Sequence, residues 1–132
     1  INLNIPAYIE NDYLPQAELR LEIYKRLAEC KTQTELVALK VEIIDRFGPV
    51  SKTFQNLIEL TKLKIISMPL MIKKIIGSRK RIECTFDSAS PILTDDKSNN
   101  LLVFNPEEDN SILFLQDTFS TIISNLKLDE TG

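Results

Sequence analysis

The chain contains no histidine, so a Ser-His-Asp triad, a Cys-His pair and a histidine-ligated metal are all excluded. The groups left to do chemistry are clusters of charge and two thiols. The densest basic run is Lys73, Lys74, Arg79, Lys80 and Arg81, which straddles Gly77-Ser78, a pair suited to the tip of a hairpin. Phosphates could be contacted there. However, no aromatic residue is interleaved to stack on bases, and a charged strand edge also keeps sheets from pairing with strangers, so a solvated edge competes with a nucleic-acid site. Carboxylates adjoin at Asp95-Asp96 and Glu107-Glu108, but neighbouring acids in soft polar loops lack the desolvation that tunes a general acid. Cys30 and Cys84 have no C-x-x-C partner, so we expect reduced thiols and a cytoplasmic setting rather than a zinc site or a disulfide framework. Three glycines, Gly48, Gly77 and Gly132, are too scattered to build a phosphate-cradling loop. No cofactor, no metal and no catalysis by this chain alone are expected.

The elements that must position these residues belong to a chain of 132 residues, 43% apolar and 27% charged, the proportions of one ordinary globular domain over 1–132. The most apolar stretch, 63–76, is interrupted by Lys64, Pro69, Lys73 and Lys74, so no membrane span is expected. The opening Ile-Asn-Leu-Asn-Ile-Pro, without Met or a leader, reads as a piece of a longer protein. Charge is unevenly shared: residues 1–86 carry a net +4 and residues 87–132 a net −7. A dedicated nucleic-acid binder is normally basic overall, which weighs against direct nucleic-acid binding.

Periodicity predicts an α+β fold, with three amino-terminal helices, then a small, mainly antiparallel sheet, then a carboxy-terminal helix. From Pro15 to about Cys30, Leu19, Ile23 and Leu27 recur at helical spacing. Thr32 and Glu35 have the form of a capping box opening a second helix, whose apolar stripe is Leu36, Leu39, Ile43, Ile44 and Phe47 and which stops at Gly48-Pro49. Advancing about 100° per residue from Leu36, Glu35, Ala38, Glu42, Asp45 and Arg46 fall at about 180–280°, away from that stripe. Ser51 is placed to cap a third helix, which carries Phe54, Leu57, Ile58, Thr61 and Ile65 and breaks at Pro69. Beyond it the period becomes two, and 71–76 with 80–86 predict a hairpin. Residues 87–100 read as a surface loop, 101–104 and 112–115 as a second hairpin, and Asp117 as the cap of a last helix whose tail frays over 129–132.

The segments Leu19 to Ala28, Lys31 to Leu36 and Glu42-Ile-Ile-Asp-Arg-Phe-Gly-Pro49, with the step from Tyr13 to Pro15, resemble the carboxy-terminal domain of the bacterial transcription-repair coupling factors. The resemblance is strong over about 3–63 and collinear through the 73–86 hairpin. It implies a parent that is an ATP-driven DNA translocase, displacing stalled RNA polymerase and recruiting the excision-repair protein UvrA. It further implies that this domain is regulatory, a protein-interaction module packing on the parent's UvrB-like amino-terminal module and masking the UvrA-binding surface. The family's interface acids match Glu42 and Asp45. These lie three apart on one helix, a spacing able to engage arginines, with Arg46 beside them and Glu42–Arg46 an i,i+4 pair. The rival reading is a nucleic-acid-binding accessory domain that uses the 73–81 hairpin.

Overall fold

The computed structural model describes residues 1–78, 80–93, 100–106 and 110–126. The elements run α1 (Ala17–Glu29), α2 (Gln33–Phe47), α3 (Lys52–Ser67), a 3-10 turn (Met68–Leu70), β1 (Ile72–Gly77), β2 (Ile82–Phe86), β3 (Leu101–Phe104) and α4 (Ser111–Leu126). This is the expected α+β order. Among the described residues, no helix is long and apolar enough to cross a membrane. Arg79, Asp95-Asp96, Glu107-Glu108 and the tail 129–132 lie outside the described residues.

The chain divides into two compact units, residues 5–65 and residues 1–4 with 66–132. In the helical unit, Ile23 and Leu27 of α1, Leu36, Leu39 and Ile43 of α2, and Phe54, Ile58 and Ile65 of α3 share a core with Ile9 and Leu14 from the leading loop. That loop is tied down by side chains. The Tyr13 hydroxyl donates to the Gly48 carbonyl at 2.6 Å, the Ile9 N–H donates to the Tyr24 hydroxyl at 2.8 Å, and Tyr13 stands edge-on to Phe54. Helix ends follow local chemistry. Thr32 Oγ1 accepts from the Glu35 N–H at 3.1 Å, while the Glu35 carboxylate reaches the N–H of Lys31, one residue earlier than in the usual capping box. Gly48 closes α2 at φ 94, a backbone state that side chains disfavour. Ser51 Oγ accepts from the Phe54 N–H at 3.1 Å, as its position predicts. Pro15 stays outside α1, which begins at Ala17 with Gln16 before it and no side-chain cap.

In the other unit, β1, β2 and β3 form an antiparallel sheet in that order, and Asn2 adds a parallel bridge to Ile76 at the outer edge of β1. Ile75, Ile82, Cys84 and Phe86 are buried, as are Ile112, Leu115 and Phe119 of α4. Phe104 of β3 meets Phe114 and Phe119 of α4 edge-on, at ring separations of 6.0 and 6.4 Å. Residues 112–115 are therefore not a strand: β3 pairs with β2, and α4 begins at Ser111. Asn110, not Asp117, caps α4, its Oδ1 accepting from the Leu113 N–H at 3.2 Å. The run Ile112 to Leu115 is apolar without a break, so its period is hidden until Phe119 is counted with Ile112 and Leu115 at helical spacing.

Gly77 faces Ile82 across the hairpin, and the Ser78 N–H closes the turn onto Arg81 O at 2.9 Å. A Cβ on Gly77 would lie 2.6 Å from Arg81 O and 2.7 Å from Ile82 Cα. Both obstacles are backbone, one in the turn and one on the paired strand, so neither can rotate aside. We expect Gly77→Ala to destabilise the chain by about 1–3 kcal/mol, read as a lower urea midpoint; an unchanged midpoint would show that the hairpin yields without cost.

Both cysteines are free thiols. Burial pushes the Cys84 thiol up to about 12, while Cys30, half-buried, is raised by burial and then by Glu35. Alkylation of the native protein near pH 8 should modify Cys30 first and leave Cys84 intact until denaturant is added. Mass spectrometry showing Cys84 labelled first would contradict that order.

Candidate functional site

The solvent side of α2 gathers the acid pair that the resemblance singles out and Arg46 beside it. Its rotation is set by Leu36, Leu39 and Ile43, each at most 4% exposed, which turns Glu42, Asp45 and Arg46 outward. Ile44 does not belong to the buried stripe. It is 38% exposed, because at about 80° from Leu36 it lies past the edge of the sector that α1 and α3 cover.

Glu42 is not a free carboxylate. Arg26 of α1 grips it with two parallel bonds, Nη1 to Oε2 and Nη2 to Oε1, the second at 2.9 Å, and Arg46 Nη1 reaches Oε2 at 3.3 Å. Arg46 in turn lies over the Phe47 ring, its guanidinium carbon 4.8 Å from the centroid. Two of the three residues are thus committed within the domain, and Glu42 joins α1 to α2. The expected Glu42–Arg46 pair is present, but Arg26 is the principal partner. Asp45 is exposed and makes no ion pair among the described residues.

Arg26 could be found in the sequence. Counting from Leu19, it lies at about 340°, on the flank of the apolar sector of α1, as Glu42 lies on the flank of that of α2. Opposite charges flanking two packed stripes can meet across the helix pair.

Four of the five basic residues of the run lie among the described residues, spread from β1 to the turn. Lys73 and Lys74 are exposed at the start of β1, where the register shifts between Ile72 and Lys74, whereas Lys80 and Arg81 are exposed in the turn. A strand rise of ~3.3 Å per residue puts about 10 Å between Lys74 and Gly77, at the turn. Arg81 is paired with Glu83 at 3.0 Å. Among the described residues, no group of three or more His, Cys, Asp or Glu side chains could hold a metal.

The bonds from Arg26, and secondarily from Arg46, lower the Glu42 pKa to about 2. In the unfolded chain it returns to ~4.3. The folded value is the lower one, so the pair's stabilisation is present above the unfolded pKa and is lost as pH falls from there through about 2. A carbon-detected NMR titration should show the Glu42 carboxyl turning over near 2 and, in Arg26→Ala, moving up toward the ordinary range. A carboxyl titrating alike in both proteins would show that Arg26 does not hold it.

Residues 3–96 match the family described as the TRCF domain. A transcription-repair-coupling factor of Haemophilus influenzae is 41% identical over 75 residues, which is 57% of this chain and 6% of that protein. The Escherichia coli protein of the same name is 36% identical over 80 residues, 61% of this chain and 7% of its own length. That of Borreliella burgdorferi is 26% identical over 118 residues, 85% of this chain and 10% of its length. The chain thus spans a tenth or less of these relatives. In three dimensions it is similar to the crystal structure of the C-terminal domain of transcription-repair coupling factor, with a TM-score of 0.80 at 20% identity, covering 99% of this chain and 93% of that one. At that identity the likeness speaks for the fold. The match over 3–96, most of its length, carries the assignment: the chain belongs to the TRCF-domain family.

Proposed function

We propose that this chain is the carboxy-terminal regulatory domain of a cytoplasmic transcription-repair coupling factor and that it acts by contact rather than by catalysis. Its partner is the UvrB-like amino-terminal module of the same parent, whose UvrA-binding surface it masks until the parent engages RNA polymerase on DNA. The observation that carries the reading is the exposed Asp45 carboxylate, without an ion pair among the described residues and three positions from the clamped Glu42 on α2. An acid in this place suits a basic surface, because the helix that carries it is already held against α1 and only its short side chain is left to be ordered on docking. The two members of the acid pair then differ in role. Asp45 makes the contact, and Glu42 holds α1, α2 and Arg46 in register behind it. A parent kept 99% closed needs a bias of only about 2.7 kcal/mol, within reach of a modest polar interface.

The roles separate experimentally. Asp45→Arg should leave the melting temperature within a few degrees, since an exposed carboxylate without an ion pair is replaced. In the full-length parent it should raise UvrA affinity with no polymerase present. Glu42→Arg should do the same but also lower the melting temperature, because three arginines then crowd one site. A folded Asp45→Arg parent with unaltered UvrA binding would retire the masking role.

A further inference from the structure

The sheet has two edges, and the chain treats them differently. At the outer edge of β1, Asn2 adds its parallel bridge and Lys73 and Lys74 place charge along the strand, both ordinary ways of keeping an edge from pairing with a stranger. β3, at the other edge, has neither. It reads Leu-Leu-Val-Phe, the one strand among the described residues without a charged side chain, and it pairs with β2 without a proline or a bulge. The hydrogen-bond phase says which of its groups stand open. The Phe86 N–H donates to Asn100 O at 2.9 Å, and the β2–β3 register continues in step from there, so Leu102 and Phe104 turn their backbone groups to Cys84 and Ile82. The N–H and C=O of Leu101 and Val103 therefore point to the outer edge, beyond which no further strand lies among the described residues. Their side chains, 41% and 38% exposed, share a face with Thr85 and Glu83, opposite the face that buries Ile82, Cys84 and Phe86.

We propose that β3 is a strand-addition site for a second copy of this chain, the two β3 strands pairing antiparallel about a twofold axis at Leu102. The strand fits itself. In that register Leu101 of each copy lies opposite Val103 of the other, and each such pair exchanges both of its N–H···O bonds, so every outward backbone group of the two residues is used. Sliding by two residues would carry half of these groups past the strand ends. The side chains agree with the backbone: Leu101 meets Val103 on one face and Leu102 meets its own copy on the other, so no charge is buried at the junction. This symmetry selects the occupant, and the contact closes at two copies because Asn2 already occupies the opposite edge of the sheet. A contact of one short strand from each copy is below the usual size of a stable interface, so the dimer is weak and forms at high concentration. It uses no residue of α2 and stands apart from the docking reading.

Sedimentation equilibrium of the 132-residue chain, carried up to millimolar concentration, should show monomers giving way to dimers and nothing larger. Amide hydrogen exchange across the same series gives a residue-level signature without any substitution. The Leu101 and Val103 amides should slow as concentration rises, whereas that of Leu102, already turned to β2, should change far less. Leu101→Lys with Val103→Lys, both at exposed side chains, sets like charges opposite each other in every pair and should weaken the dimer by about tenfold or more. Mixed with the Leu101→Glu, Val103→Glu chain, the same variant should recover as a one-to-one dimer. A wild-type chain that stays monomeric throughout would overturn the proposal. So would a dimer whose Leu101 and Val103 amides exchange as in the monomer, or one that the Lys variant forms equally well, since either places the contact elsewhere. Assemblies that grow past two copies would overturn the closed pair.

Discussion

The rotational phase of α2 is the constraint from which the candidate site follows. Leu36, Leu39 and Ile43 drop into the helical core, and that single fact decides where every other side chain of the helix points. Glu42 comes to the flank that meets Arg26, Asp45 to open solvent, and Val37, Val41 and Ile44 to the margin opposite the clamp. A buried aliphatic stripe of three residues contributes several kcal/mol through its area alone. The Arg26–Glu42 pair, with both side chains over a third exposed, contributes orientation more than stability. Hydrophobic burial thus sets the phase, and the ion pair ties α1 to α2 at its flank.

The helical unit was nearly complete in the sequence because its signals are local. Thr32 and Ser51 mark helix starts by an oxygen that bonds an amide three positions on, and Gly48 marks a stop by a backbone state it alone tolerates cheaply. The sheet unit was harder. Strand pairing is a contact between distant segments, and the run from Ile112 to Leu115 carries no period of its own, so a strand and a helix were equally consistent with it. For the site, periodicity placed Glu42, Asp45 and Arg46 on the outer face but could not say which of them was already engaged. That depends on Arg26, sixteen positions away on another helix. Ile44 was misplaced for a related reason: the width of a buried stripe is set by the neighbours, not by the helix that bears it.

Family membership and local geometry supply different kinds of information about the acid pair. The family match over 3–96 identifies the domain, and the hydrogen bonds of this chain distinguish two acids that a motif treats alike. The same distinction applies to the hairpin cations. In the sequence they are one dense run. In the sheet, Lys73 and Lys74 stand where the register of β1 shifts, and Arg81, in the turn, is paired with Glu83.

The parallel bridge at Asn2 has a kinetic consequence. Its N–H bonds Ile75 O at 2.8 Å and its carbonyl receives the Gly77 N–H at 2.9 Å, so the first residues of the chain complete the edge of a sheet formed after the whole helical unit has intervened. Closing so long a loop costs entropy that is offset only once α1, α2 and α3 have condensed by their own local contacts. The expected order is helices first and the Asn2 edge last, which pulse-labelled hydrogen exchange would register as late protection of the Asn2 and Gly77 amides. Until then β1 presents an open edge, and the growing domain is most exposed to mispairing with another chain at that stage of its folding.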